Sequence, residues 1–143
     1  MSFDIAILSL ENRITNAEAS EIYAETLEGN YSNVAKNAAI EDFYRELTAI
    51  HPEIDDIPDD KAEDIDFCPW SCEFDKSAAH VIISSVWSKS DYVYDLVQSL
   101  AVKHNLALFS PQAEIVVYPD GSEGGEVEKG AWWKFCGNSG KFT

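Results

Sequence analysis

The chain has 143 residues, of which 26 are acidic and 10 are basic, so its formal net charge at pH 7 is −16. With 45% hydrophobic and 12% aromatic residues, it is predicted to be a folded domain with its own core and not a disordered segment. Such an acidic surface argues against nucleic acid and anionic membranes as partners, because both bind positively charged surfaces.

The cellular compartment is predicted from the targeting signals that the sequence lacks and from its cysteines. The start of the chain has no secretory signal, and no apolar stretch approaches the ~20 residues that a membrane helix needs. The cysteines are Cys68, Cys72 and Cys136. An odd number of cysteines without a signal predicts free thiols in a reducing environment. We therefore expect a cytoplasmic protein.

The beginning of the chain predicts a strand and a helix. Residues 3–10 (FDIAILSL) are apolar on both faces, which is typical of a central strand. Thr15, followed three residues later by Glu18, is the signature of a capping box. The helix that it begins is predicted over 16–28, and Gly29 supplies the stop signal.

A second helix is predicted over 38–50, and Pro52 ends it. Its apolar stripe consists of Ile40, Phe43, Tyr44, Leu47 and Ile50. Residues 53–66 (EIDDIPDDKAEDID) then show no periodicity, and Pro58 divides them. This segment, which we call the acidic loop, lies between a predicted helix and a predicted strand, so we expect it to be presented by the domain.

The region after the acidic loop predicts four strands and one helix. The strands are expected at 72–75, 79–87, 106–109 and 114–118. The helix is expected at 90–104, and Asn105 is suited to its left-handed cap. Its apolar stripe consists of Val93, Leu96, Val97, Leu100 and Ala101.

The element order β-α-α-β-β-α-β-β predicts an α+β two-layer sandwich. We expect a largely antiparallel sheet with the helices on one face, in which strands 3–10, 79–87 and 114–118 share the sheet. The two β–α–β passages favour a ferredoxin-like core with an extra helix. The domain is predicted to cover 1–119, with 120–143 as an acidic and aromatic extension. In this extension, Trp132 and Trp133 could close the core edge or join a second interface.

The common catalytic and metal-binding patterns are absent from the sequence. Cys68 and Cys72 have no second Cys/His pair at zinc spacing. The acidic loop lacks the central glycine of an EF-hand. There is no P-loop, dinucleotide fingerprint or nucleophile elbow. We therefore expect neither an enzyme nor a cofactor or metal site, and a small carboxylate-based enzyme remains the lesser alternative.

The acidic loop is the main candidate for function. Eight of its fourteen residues are acidic and one is basic, and Trp70 follows shortly after. Aromatic side chains surrounded by charges that steer the encounter are typical of tight interfaces. The candidate partner-binding residues are Glu53, Asp55, Asp56, Asp59, Asp60, Glu63, Asp64, Asp66 and Trp70.

Three stretches carry a resemblance to a known group of proteins. They are MSFDIAI, FYRELTAIHPEIDD with the CPW that follows, and HVIISSVWSKSDYVYDLVQSLAVKHNLALFSPQ. Together they resemble small acidic bacterial cytoplasmic proteins of the immunity-protein type, which protect a cell from polymorphic or contact-dependent toxins. The resemblance covers about residues 1–119 and carries no residue-level signature.

The resemblance implies an inhibitor that binds a cognate toxin, expected to be a basic nuclease-type domain, and covers its active site or substrate surface. Such a protein needs no catalysis and no cofactor. The alternative is an acidic binding module with another intracellular partner. The sequence leaves the oligomeric state open.

Overall fold

The computed structural model describes residues 2–61 and 64–124, and this part of the chain forms three α-helices and one five-stranded sheet. The strands are β1 (Ser2–Leu8), β2 (Asp75–Lys76), β3 (His80–Val86), β4 (Ala107–Ser110) and β5 (Ile115–Val117). The helices are α1 (Asn16–Leu27), α2 (Ala38–Ile50) and α3 (Ser90–Lys103). Short 3-10 turns lie at 54–56, 59–61 and 87–89.

The sheet has the strand order β2-β3-β1-β4-β5, and every neighbouring pair is antiparallel. The apolar strand β1 is central, and it pairs with β3 from Ser2 to Leu8. The predicted α+β class and the predicted sharing of one sheet by the three strands are thus confirmed. The order β2-β3-β1-β4, with α2 and α3 as its two helices, corresponds to a βαββαβ ferredoxin-like core, to which β5 adds an edge.

The helices lie on both faces of the sheet. Ile5 and Ile7 of β1 face a cluster that contains the stripes of α2 and α3. Ala6 and Leu8 point the other way and pack with Ala19 and other residues of α1. The expectation that all helices cover one face is therefore wrong for α1. Since residues of a strand alternate between faces, a central strand that is apolar throughout needs cover on both sides.

The helix ends follow the predicted signals. Thr15 and Glu18 form the capping box, with each side chain accepting from the other's main-chain N–H. Asn37, for which no capping role was predicted, caps α2 by accepting from Ala39 N at 2.9 Å. Asn105 adopts a φ of 59°, as its predicted capping role requires. Local sequence therefore determines where these helices begin and end.

Two local predictions differ from the structure. The strand expected at 72–75 is reduced to Asp75–Lys76, because Trp70 takes up a bridge with Ser85 of β3 instead. The α2 residues Ile40, Phe43 and Leu47 are fully buried, as predicted. In the α3 stripe Val93, Val97 and Leu100 are buried, whereas Leu96 is only partly buried.

None of the helices in the described part of the chain is long and apolar enough to span a membrane.

Candidate functional site

The acidic loop leaves the end of α2, makes two 3-10 turns and returns to the sheet beside β3. Its exposed carboxylates are those of Asp55, Asp56, Asp59, Asp60, Asp64 and Asp66. Glu53 is partly buried, and Glu63 lies outside the described residues. Ile54 and Ile57 turn inward and pack against the core. This alternation holds the loop on the domain with most of its charge in solvent.

Glu53 fixes the beginning of the acidic loop. One of its carboxylate oxygens accepts from the main-chain N–H of Phe74 at 2.9 Å. The other accepts from the Tyr44 hydroxyl, and this hydrogen bond is the main reason why the pKa of Tyr44 is raised. Both carboxylate oxygens of Glu53 are thus occupied inside the protein. Glu53, which the sequence made a candidate for partner contact, therefore ties the start of the acidic loop to α2 and to Phe74 in the free protein.

Trp70 fixes the region that follows the loop. Its side chain is 3% exposed, and its Nε1 donates to the main-chain oxygen of His51 at 2.9 Å. Its ring packs edge-on against that of Phe74, with centroids 5.0 Å apart. Trp70, which the sequence made a candidate for partner contact, therefore has almost no surface open to a partner in the free protein. The indole lies under the loop because its apolar ring is packed there and its N–H has a hydrogen-bond acceptor.

His51, at the end of α2, connects the far end of the loop with α3. No pattern in the sequence indicated this link. Its Nδ1 lies 2.9 Å from the main-chain oxygen of Phe67, and its Nε2 lies 2.7 Å from the Tyr92 hydroxyl. Because a carbonyl oxygen only accepts, Nδ1 carries a proton and donates to Phe67. In the neutral ring, Nε2 then accepts from Tyr92. The proline after His51 was the only sequence signal, and it indicated merely a helix end.

The charges of the loop are only partly compensated. The pKa of Glu73 is raised, chiefly by its hydrogen-bonding interaction with Asp55 and then by the charge of that carboxylate and of nearby ones. At the other end, Lys89 pairs with Asp66 and lowers the pKa of that carboxyl. The loop is thus a place where negative charges repel one another and where an approaching cation would be stabilised.

A second group of polar side chains lies in the β2–β3 hairpin. Ser77 Oγ is 2.6 Å from His80 Nδ1, and His80 Nε2 is 3.2 Å from Asp75 Oδ1. These residue types recur in catalytic triads. However, Ser77 Oγ also accepts from Ala79 N at 3.1 Å, and Ser77 N donates to the main-chain oxygen of His80 at 3.0 Å. We interpret the group as the polar closure of a tight turn.

Comparisons with known proteins give no relative: no protein-family model, curated protein or solved structure matches this chain. Within residues 2–61 and 64–124, no group of three or more His, Cys, Asp or Glu residues is arranged to hold a metal ion. Of the cysteines, Cys68 is buried and Cys72 is exposed, while Cys136 lies outside the described residues. The acidic loop is thus the main candidate for a functional surface among the described residues.

Proposed function

We propose that the protein binds a cationic protein partner through the acidic loop, and that this partner is a bacterial toxin domain that it neutralises in the cytoplasm. The observation that carries the proposal is the presentation of six exposed carboxylates on a loop fixed at both ends. Glu53 fixes one end, and Trp70 with His51 fixes the other. The resemblance to immunity proteins supplies the class of partner.

A fixed loop suits tight binding for an energetic reason. Ordering a mobile loop at an interface costs about 0.5–1.5 kcal/mol for each immobilised side chain. Here the side chains of Glu53 and Trp70 are already ordered in the free protein. The exposed carboxylates can then steer a basic partner, which raises association rates by roughly 10- to 1000-fold at low salt.

Inhibition of this kind needs no catalysis. A toxin that acts on nucleic acid or nucleotides binds its substrate with positive charge, and an acidic surface can cover that charge. The protein would act by occupying the active site or the substrate surface. This proposal assigns the contact role to Asp55, Asp56, Asp59 and Asp60, and it assigns a positioning role to Trp70.

The decisive experiment is co-expression with the product of the adjacent upstream gene, where a cognate toxin is expected. Cell survival and co-purification are scored together. Protection accompanied by a complex is the expected result. A harmless product that does not bind would contradict the immunity function and would favour another intracellular partner.

The contribution of the loop is tested by charge reversal with a matched control. One variant replaces Asp55, Asp56, Asp59 and Asp60 with lysine. The control replaces four exposed carboxylates outside the loop, Glu11, Glu21, Glu28 and Asp42. Each substitution adds two charges, so both variants move from −16 to −8. We expect the loop variant to associate at least about tenfold more slowly at low salt, and the control to stay much closer to the wild type. Equal effects would show that only net charge matters.

A further inference from the structure

A groove with a volume of about 710 Å³ lies on the face of the sheet that also carries α2 and α3. It opens because β1 pairs with β4 only from Ala6 to Leu8, which leaves the first half of β1 without a neighbouring strand on that side. There the Gln112 carboxamide takes the strand's place: with its amide group turned so that nitrogen faces Asp4 O and oxygen faces Asp4 N, it donates over 2.9 Å and accepts over 3.3 Å. The volume is in the range of pockets that hold small ligands or side chains.

The groove combines apolar walls with carboxylates. Phe3 and Trp87 form one wall with their ring centroids 5.4 Å apart, and Trp87 is 43% exposed. Ile115 and Val117 of β5 line it as well. The carboxylates at its edge are those of Asp91, Asp95 and Glu123. Such a surface fits a segment that is both aromatic and basic.

The described chain ends at the wall of this groove. Glu123 forms a bridge with Val117 and lines the groove. Gly124 N donates to Val116 O at 2.8 Å. A Cβ at Gly124 would lie 2.9 Å from Ile14 O, so only glycine fits and the path of the chain is fixed there. Since this segment runs antiparallel to β5, the chain at Gly124 is directed towards the level of Ile115.

The sequence that follows has the chemistry that the groove requires. Residues 131–135 read Ala-Trp-Trp-Lys-Phe, and 125–130 separate them from Gly124. Six residues can span about 20 Å, which allows the aromatic segment to reach the groove beside the chain's own exit. Lys134 lies within the aromatic segment and supplies positive charge for the three carboxylates, whereas the connection at 125–130 carries Glu126 and Glu128 beside Lys129.

We propose that Trp132 and Trp133 occupy the groove between β5 and α3 of the same molecule, with Lys134 facing Asp91, Asp95 and Glu123. Burial of indole rings supplies the attraction, since aromatic side chains bury about 150–250 Å² each. The short connection favours docking within one molecule, because the effective concentration of a tethered segment reaches the millimolar range.

Cys136 provides the test, because it directly follows the aromatic segment. In the 143-residue chain with Cys72→Ser, one variant carries Ala113→Cys at an exposed position that lines the groove. The matched control carries Ala17→Cys, which is also exposed. Ala17 lies next to Asn16, whose Oδ1 accepts from Val116 N at 2.9 Å. Position 17 is therefore near Gly124, but it lies on the opposite face of the sheet from the groove. Disulfide formation with Cys136 in oxidised glutathione is followed by peptide mapping.

We expect the cross-link from position 113 to form about tenfold faster than the one from position 17. Adding Trp132→Ser with Trp133→Ser should remove this excess, while circular dichroism confirms an unchanged fold. Equal rates for the two positions, or an excess that survives loss of both tryptophans, would overturn the proposal. Cross-links found only between molecules would assign the groove to a second copy and would overturn docking within one molecule.

Discussion

The indole Nε1 of Trp70 and the main-chain oxygen of His51 form a 2.9 Å hydrogen bond that joins the two ends of the acidic loop. This bond spans 19 positions of the chain and lies in the buried interior. The His51 ring, in turn, holds Phe67 and Tyr92. The orientation of the loop carboxylates therefore depends on a buried tryptophan that does not itself reach the surface.

Replacing Trp70 should weaken the attachment of the acidic loop to the domain core. Trp70→Phe leaves the His51 oxygen without its donor, and we expect the free energy of unfolding to fall by about 1–3 kcal/mol. Trp70→Ala should cost about 3–5 kcal/mol because it also opens a cavity. Urea denaturation measures both losses, and amide hydrogen exchange over 52–61 and 64–68 should report faster opening of the loop.

The control for this prediction is Trp87→Phe, since Trp87 is 43% exposed and lies outside the loop. It should leave hydrogen exchange in the loop unchanged. If Trp70→Phe weakened partner binding without any change in loop exchange, the indole would contact the partner directly, and the positioning role would be wrong.

The buried stripe of α2 should contribute more to stability than the partly covered edge of α3. Leu47 is fully buried, so Leu47→Ala should lower the free energy of unfolding by about 2–5 kcal/mol. Leu96 is only partly buried, and Leu96→Ala removes the same atoms from a site that already contacts solvent. We expect a clearly smaller loss in urea denaturation. Equal losses would contradict the observed placement of α3.

The sequence predicted best where the signal is local. The capping pair Thr15 and Glu18 determines the start of α1, and the spacing of Ile40, Phe43 and Leu47 determines the buried face of α2. These patterns depend on residues within a few positions of one another. The predicted helices followed from them, whereas the sharing of one sheet was predicted from the order of the elements.

The sequence predicted poorly where the answer depends on distant contacts. The position of Trp70 next to many carboxylates predicted a partner-binding aromatic. Its burial depends on His51 and Phe74, which the fold brings to it. The placement of α1 could not follow from its own pattern either, because an amphipathic helix fits either face of a sheet. Only the pairing of strands determines which face remains uncovered.

His80 should make stability depend on pH. It is fully buried, and burial lowers its pKa from the ordinary 6.5, although Asp75 acts in the opposite direction. Below about pH 6.5 the unfolded chain binds a proton at His80 more readily than the folded protein does. The free energy of unfolding should therefore fall as pH falls. Well above that pH, His80 is neutral in both states and no longer makes the free energy of unfolding depend on pH.

Urea denaturation between about pH 7.5 and 5.5 tests this dependence. His80→Gln should flatten part of the wild-type slope, whereas His104→Gln, at a site that is only partly buried, serves as the control. A wild-type slope that His80→Gln leaves unchanged would show that His80 is not the group responsible.

Binding of a cationic partner should release a proton from Glu73. In the free protein the pKa of Glu73 is raised, first by its hydrogen bond with Asp55 and then by the charge of that carboxylate and of its neighbours. A bound cation favours the ionised form and lowers this pKa. Affinity should therefore rise with pH through the interval between the pKa of the complex and that of the free protein, and then level off.

Titration calorimetry with the co-purified partner, or with oligolysine as a cationic probe, measures the effect in two buffers of different ionisation enthalpy. The difference between buffers gives the number of protons released. Glu73→Gln removes the titrating group, so it should abolish this part of the proton release while leaving every carboxylate of the acidic loop in place. Proton uptake on binding, or release that Glu73→Gln leaves intact, would contradict contact between the partner and Asp55, because a cation at Asp55 would also act on the pKa of Glu73.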